Sequence, residues 1–247
     1  MFAGHAVARL RAERLARSTR IPHARGSRCE RCAGCRLPPT HCVCAWRPTV
    51  PARSGFCLLM HDIEPLKPSN TGWLVADIVP GTEAFPWTRT EIDPRVPALL
   101  GDPGWQPYVV FPASYAPSRA VTEVAPATGR RPLFVLLDAT WPEARRMFRR
   151  SPYLDALPVL GLHTGQLSRY RLRQAPREGQ LCTAEVAALC LALAGEERAA
   201  RALDAWLDVF VAHSMDARNN RPAGAPGDAH GRLAEFVTVS ASALRRP

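Results

Sequence analysis

Lysine is almost missing from this chain. Lys67 is the single lysine among 32 basic residues, and the other 31 are arginines. Long apolar runs are missing too: no stretch approaches the roughly 20 consecutive apolar residues of a membrane span, which excludes a spanning helix as the organising element. The opening segment, MFAGHAVARLRAERLARSTRIPHARGSR, has no continuous apolar stretch of the kind a secretory signal carries, so the expected location is the cytoplasm and no membrane partner is expected. The same segment is arginine-rich and acid-poor, the composition both of a mitochondrial presequence and of a basic RNA-binding arm. There is no G-x-G-x-x-G fingerprint, no P-loop and no G-x-S-x-G elbow, so ordinary dinucleotide, nucleoside triphosphate and esterase chemistries lose their main support.

What is present starts with size and charge. A chain of 247 residues can bury one large core beside a small N-terminal module. Its formal net charge is +10, which points to a polyanion. Arginine forks suit phosphate and stack on bases, which favours nucleic acid. A GC-rich genome accounts for the same arginine bias, in keeping with the many Ala and Pro residues.

Cysteines carry the sharpest local signal. Cys32-Ala-Gly-Cys35 and Cys42-Val-Cys44 place four thiols within thirteen residues, and each short pair can present two thiolates to one tetrahedral zinc ion. The spacing does not force the choice, because Cys29 makes a second C-x-x-C with Cys32 and His41 is a reserve ligand. The set preferred here is Cys32, Cys35, Cys42 and Cys44, with a proline-stiffened loop between the pairs; iron at the same thiolates is chemically equivalent by spacing. A disulfide cluster is the competing reading, and it belongs to small secreted chains.

Three segments follow: a basic N-terminal arm over residues 1–27, helix-prone or disordered; a zinc-binding cysteine module over 28–46; and an α/β domain over 47–247. In that domain Phe56-Cys-Leu-Leu-Met60 reads as a buried strand, Trp73 to Val79 as a helix capped by Asn70-Thr71, and Tyr108 to Phe111 as a strand. Pro132 to Leu137 is apolar throughout, as a central parallel strand is. A helix with Pro142 at its first position follows, then a strand over Leu157–Leu160 and an arginine-rich loop or strand over 166–174. Thr183–Ala194 and Glu196–Ser214 read as helices, the tail from Asn219 to Gly231 as loop. On the last helix, Trp206, Leu207 and Phe210 fit a core or an interface equally, and no residue shows a partner face, so the oligomeric state is not legible. Strands alternating with helices imply an α/β fold with a mostly parallel sheet.

Ligands gather at the carboxyl ends of parallel strands. Three polar clusters fall there: His61 to Glu64, Ser114, and Asp138 to Trp141. Taken singly each has a bland explanation: an acid after a strand caps the next helix, a strand-end histidine is satisfied locally, and a tryptophan is core.

Together they carry a resemblance. Asp138-Ala-Thr-Trp141 resembles the D-x-T-W signature of DTW-domain proteins, and Cys32–Cys44 resembles that family's cysteine set. His61-x-x-Glu64, Asn70-Thr71-Gly72, Phe111-Pro-Ala-Ser114 and Cys182-Thr-Ala-Glu185 resemble its H-x-x-E, N-T-G, F-P-S and S-T-x-E segments, in the same order over residues 28 to 215. The resemblance implies an enzyme, a tRNA-uridine aminocarboxypropyltransferase. It would use S-adenosylmethionine as co-substrate to place a 3-amino-3-carboxypropyl group on uridine N3 in tRNA, releasing methylthioadenosine. By analogy it also implies a SPOUT-like fold with a knotted C-terminal half, against the usual rule that chains are unknotted. The alternatives are a SPOUT-like RNA methyltransferase and a non-catalytic zinc-containing RNA-binding protein.

Carried onto this chain, the resemblance makes Asp138 the catalytic group and assigns the cofactor pocket to His61, Glu64, Asn70, Thr71, Gly72, Ser114, Asp138, Thr140, Trp141, Thr183 and Glu185. Arg169 and Arg171 are the expected RNA contacts. Two departures stand out: Trp73 occupies the place of an arginine common after N-T-G, and Cys182 replaces a serine, which is expected to weaken the helix cap and leave Glu185 less explained.

Overall fold

A computed structural model describes residues 4–18, 29–123, 129–162, 170, 172 and 181–236. Six strands form one sheet: β1 (Gly55–Met60), β2 (Thr82–Pro86), β3 (Trp105–Val110), β4 (Val121–Thr122), β5 (Arg131–Asp138) and β6 (Val159–Leu160). They lie in the order β2-β1-β5-β3-β6-β4, and every pairing is parallel. The expected α/β fold with a mostly parallel sheet is therefore present.

The helices are α1 (Ala6–Ala16), α2 (Gly72–Ile78), α3 (Arg95–Leu100), α4 (Trp141–Arg149), α5 (Thr183–Leu193), α6 (Glu197–Arg218) and α7 (Asp228–Ala234). They cover the sheet on both sides, and strand side chains alternate between the two layers as a two-residue period requires. Phe56, Leu58 and Met60 of β1, with Phe134 and Leu136 of β5, pack beneath α1, α2, α5 and α6. Cys57, Leu59, Leu133 and Val135 point the other way, onto Val96 of α3 and Ala144, Met147 and Phe148 of α4. Both faces being buried is why β1 and β5 read as continuous apolar runs. Each fully buried Leu, Phe or Met contributes about 1.5–3 kcal/mol.

Several elements differ from expectation. β2 and α3 lie in the proline-broken stretch that gives no clean periodicity. The loop expected over 219–231 instead ends in α7, whose His230 and Leu233 are buried. The basic N-terminal segment contributes α1, which docks Ala6, Val7 and Leu10 into the main core. Cys35, Leu37 and Val43 of the cysteine loop belong to that same core, and so do Trp206, Leu207 and Phe210, which are buried against it. The stretch 166–174 lies outside the described residues except for Tyr170 and Leu172. Among the described residues no helix is long and apolar enough to cross a membrane.

Register positions the site. β5 pairs with β1 so that Asp138 lies beside Met60, and β1 pairs with β2 so that Met60 lies beside Pro86. The residues at and just beyond these carboxyl ends, Trp87, His61 and Asp138, therefore stand side by side. Backbone bonds run on past the strands: His61 N–H donates to the Asp138 carbonyl at 3.0 Å and Trp87 N–H to the Met60 carbonyl at 2.8 Å.

Candidate active site and cysteine cluster

Asp138 is the meeting point of three separate segments. Its side chain is buried, with 3% of the residue exposed. Oδ2 accepts from Asn70 Nδ2 at 2.8 Å and Oδ1 from the Thr183 hydroxyl at 2.8 Å. The loop after β1, the end of β5 and the first residue of α5 are thus tied together through one carboxylate. Asn70 is fixed in turn, because its Oδ1 accepts from Trp73 N–H at 3.1 Å, capping the first turn of α2. Thr71 reaches the same helix pair from the other side, its hydroxyl accepting from Ala184 N–H at 3.3 Å.

Beneath Asn70 lies Glu64, fully buried. Asn70 Nδ2 donates to its Oε2 at 3.3 Å, and Lys67 Nζ donates to its Oε1 at 2.6 Å. The only lysine of the chain is thus the cation of this buried carboxylate. Tyr170 closes over the same loop, its hydroxyl donating to the Ser69 carbonyl. Neither Lys67 nor Tyr170 is assigned to the site by the sequence, although Lys67 is conspicuous as the single lysine.

The remaining expected residues divide by role. His61 stacks on Trp87, with ring centroids 6.1 Å apart and planes at 22°, and its Nδ1 faces Glu143 Oε1 at 3.6 Å. Thr140 closes a capping box with Glu143, whose Oε2 accepts from Thr140 N–H at 3.0 Å and from its hydroxyl at 2.5 Å. Burial pushes the Glu143 carboxyl up, but the hydrogen bonds from Thr140, with His61 and Lys67 nearby, outweigh it and leave the group below its ordinary value. Trp141 opens α4 and packs toward Phe111, 6.1 Å between centroids. Ser114 is exposed on the turn after β3, and nothing among the described residues links it to Asp138 by a hydrogen bond.

The cap of α5 departs from expectation. Cys182 in place of serine leaves the box intact: Glu185 Oε2 accepts from Cys182 N–H at 2.7 Å, and the thiol occupies the hydroxyl's position toward the helix. Glu185 is thereby accounted for as the return arm of that cap. Arg169 and Arg171 lie outside the described residues.

The four cysteines converge. Sγ atoms of Cys32, Cys35, Cys42 and Cys44 all lie within 4.8 Å of one another. Cys32–Cys44, Cys35–Cys42 and Cys32–Cys42 separations are 3.6, 3.7 and 3.5 Å. A tetrahedral ion about 2.3 Å from each sulfur needs edges of about 3.8 Å, so this set can hold one metal ion after small relaxation. None of the described cysteines is in a disulfide. The neighbouring Cys44 thiol stabilises a thiolate at Cys35 and lowers its pKa, while Cys44 is pushed up by that bond and Cys42 by burial. Cys29 is exposed, its Sγ directed to the Glu30 carbonyl, and His41 places its two ring nitrogens at Thr40 Oγ1 and the Arg221 carbonyl.

Trp73 explains itself here. It is buried rather than displayed, its indole N–H donates to the Gly34 carbonyl at 2.8 Å, and His5 and Arg36 stack on its ring at 4.4 and 5.6 Å. It pins the cysteine loop to α2. Arg36 is buried beside it, and desolvation, then repulsion from Arg11 and Arg31, lowers its pKa to about 10. Four thiolates on a divalent ion make a net dianion, which this cation beside Cys35 would offset.

The family model described as "DTW domain" matches residues 29–215, from the cysteine loop to the last turns of α6. The chain is 31% identical over 181 residues to tRNA-uridine aminocarboxypropyltransferase 2 of Drosophila melanogaster, covering 70% of this chain and 68% of that protein. No solved structure matches it. With three quarters of its length matched by one family model, and the signature acid holding that family's N-T-G and S-T-x-E segments together, the chain belongs to the DTW domain family.

Proposed function

We propose that this chain is an enzyme that transfers the 3-amino-3-carboxypropyl group of S-adenosylmethionine to N3 of a uridine in tRNA. The uracil N3–H loses its proton as nitrogen attacks the methylene carbon on sulfur. The carbon–sulfur bond breaks, sulfur keeps the electron pair, and methylthioadenosine leaves. A sulfonium is already a good leaving group, so the protein's task is to present the methylene, not the methyl, in line with N3. Asp138 accepts the N3 proton or holds that edge of the base. Asn70 and Thr183 orient its two oxygens, and His61, Glu64, Thr71, Gly72, Ser114, Thr140, Trp141 and Glu185 complete or support the donor pocket around it.

The observation that carries this reading is the convergence of Asn70 and Thr183 on the Asp138 carboxylate in a DTW-family chain. Similarity to a protein named as a tRNA-uridine aminocarboxypropyltransferase supports the reaction class. Within the same reading, Cys32, Cys35, Cys42 and Cys44 hold zinc in a module over residues 28–46, residues 1–27 are a basic arm, and the catalytic domain occupies 47–247. Arg169 and Arg171 contact the tRNA. The parallel sheet, whose chain order jumps across β1, β5 and β3, is compatible with a SPOUT-like, knotted arrangement, and a cytoplasmic location fits a tRNA substrate.

The test is incubation of the purified protein with S-adenosylmethionine and an unmodified tRNA transcript. Methylthioadenosine and a nucleoside heavier by an aminocarboxypropyl group are expected, and Asp138→Asn abolishes both. Adenosylhomocysteine with a methylated nucleoside, or full turnover by Asp138→Asn, overturns the assignment.

A further inference from the structure

Beyond the strand ends that hold Asp138, the residues after β2 and the last turn of α4 enclose a cleft of about 580 Å³ lined by Trp87, Arg89, Arg146, Arg149 and Arg150. Arg146, Arg149 and Arg150 stand at i, i+3 and i+4 and so share one helix face. All four arginines are exposed. Among the described residues, none of the four has a carboxylate within ion-pair distance. Several arginines elsewhere on the surface are paired, Arg14 with Asp62, Arg201 with Glu235, Arg221 with Asp216 and Arg232 with Asp208, and the exposed ones without a carboxylate among the described residues, such as Arg53 and Arg145, line no cleft with other arginines. The carbonyl end of α4 favours a cation or two in its last turn. It does not account for four, one of them from another loop, that repel one another around a common space.

Trp87 connects this space to the acid. It lines the cleft, its indole N–H donates to Ser151 Oγ at 2.9 Å, and its ring stacks with that of His61, whose backbone N–H donates to the Asp138 backbone carbonyl. From Thr140, next to Asp138, the helix carries the chain about 13 Å to Arg149 at about 1.5 Å per residue. S-adenosylmethionine carries one carboxylate and no phosphate, so it does not account for four guanidinium groups around one space. A polynucleotide with one base at Asp138 continues naturally into the cleft.

We infer that this arginine cleft binds backbone phosphates of the RNA beside the target uridine, an inference that rests on the function proposed above. Guanidinium forks bind phosphate oxygens in pairs. Such contacts set the register of the RNA without reading its sequence.

The experiment measures tRNA binding by fluorescence anisotropy over a salt series for the full chain, for Arg146→Gln/Arg149→Gln, and for Arg198→Gln/Arg201→Gln on the opposite layer. The cleft variant is expected to bind tRNA about tenfold or more weakly, and its slope of log affinity against log salt to be shallower by about 1–2, from roughly 0.7–0.9 per phosphate lost. Its S-adenosylmethionine affinity by calorimetry and its unfolding temperature are expected to match the parent's, so the loss is not misfolding. Unchanged affinity and slope, or an equal loss in the opposite-layer pair, overturns the inference. Poly-glutamate displacing tRNA as well as an RNA of equal charge also overturns it, in favour of an acidic protein partner. If the parent chain releases methylthioadenosine from S-adenosylmethionine when tRNA is present while the cleft variant binds normally, only the cleft assignment falls; if the parent neither binds nor modifies tRNA, the proposed function falls first.

Discussion

Gly72 and Asp138 are in such close approach that a Cβ on Gly72 would lie 2.5 Å from Asp138 Oδ2, and 3.2 Å from the Asn70 oxygen. The glycine of the N-T-G segment is there to admit the carboxylate of the D-x-T-W segment.

Gly72→Ala is therefore a contest between two effects. Alanine raises helix propensity by about 1 kcal/mol. The clash meets a carboxylate that is buried and held at both oxygens, and overpacking of this kind costs about 1–3 kcal/mol. The clash wins: activity is lost and the unfolding temperature falls, as calorimetry and a methylthioadenosine assay will show. A more stable and fully active variant sinks this account.

Thr183 supplies a side-chain hydrogen bond to the acid. Thr183→Val keeps the shape and removes the donor, at about 1.5–3 kcal/mol for a bond to a charged group. Thr183→Ser retains the hydroxyl and is expected to keep most of the turnover. Equal rates in the valine and serine variants contradict an orienting role.

Lys67→Met removes the ammonium that donates to Oε1 of a fully buried carboxylate, Glu64. Breaking a buried pair in this way costs roughly 3–5 kcal/mol, because the remaining charge stays desolvated. Lys67→Met/Glu64→Gln, which removes both charges, recovers much of the loss. Urea denaturation of the single and double variants measures the difference.

Metal removal acts on the core. Because Cys35, Leu37 and Val43 pack into the same cluster as α2 and α6, dialysis against a chelator lowers the unfolding temperature of the whole transition. Elemental analysis is expected to find one metal ion per chain in the parent and in Cys29→Ser, and none in Cys35→Ser. A full complement of metal in Cys35→Ser refutes the four-cysteine assignment.

Buried histidines predict a pH dependence. His213 and His230 meet through their Nε2 atoms at 3.0 Å, joining α6 to α7, and His213 Nδ1 lies 3.2 Å from the His41 carbonyl. Burial lowers both pKa values: for His213 it outweighs the opposing bond to the His41 carbonyl, and for His230 the neighbouring His213 lowers the value further. The folded state therefore favours neutral rings. Their stabilisation is present above the ordinary histidine value of about 6.5 and is lost as pH falls through the lowered folded values, where the unfolded chain binds more protons. Denaturant midpoints at pH 7.5, 6.5 and 5.5 are expected to fall in that order. The fall is smaller in His230→Asn, and an identical fall in that variant rules the pair out.

The site was legible in the sequence as motifs and illegible as a network. His61 and Asp138 stand out as polar residues after apolar strands and Asn70 as a helix cap, whereas Thr183 enters only through the family resemblance. That Asn70 and Thr183 bond the same carboxylate, 68 and 45 residues away along the chain, follows only from the parallel pairing of β1 with β5 and the docking of α5. Trp73 reads as a departure from an arginine until the cysteine loop is packed over it. Residues 219–231 read as loop because Gly, Pro and Asn dominate them, while the two buried anchors of α7, His230 and Leu233, find their partners on other elements.

What the sequence determined by itself is what short spacing can encode: two cysteine pairs able to share an ion, buried strands too apolar to face water, and an acid at the end of one of them. What tertiary structure decided is which of those local features meet. Burial of a carboxylate, the pairing of the sole lysine and the gathering of four arginines into one cleft are all relations set by strand order and register.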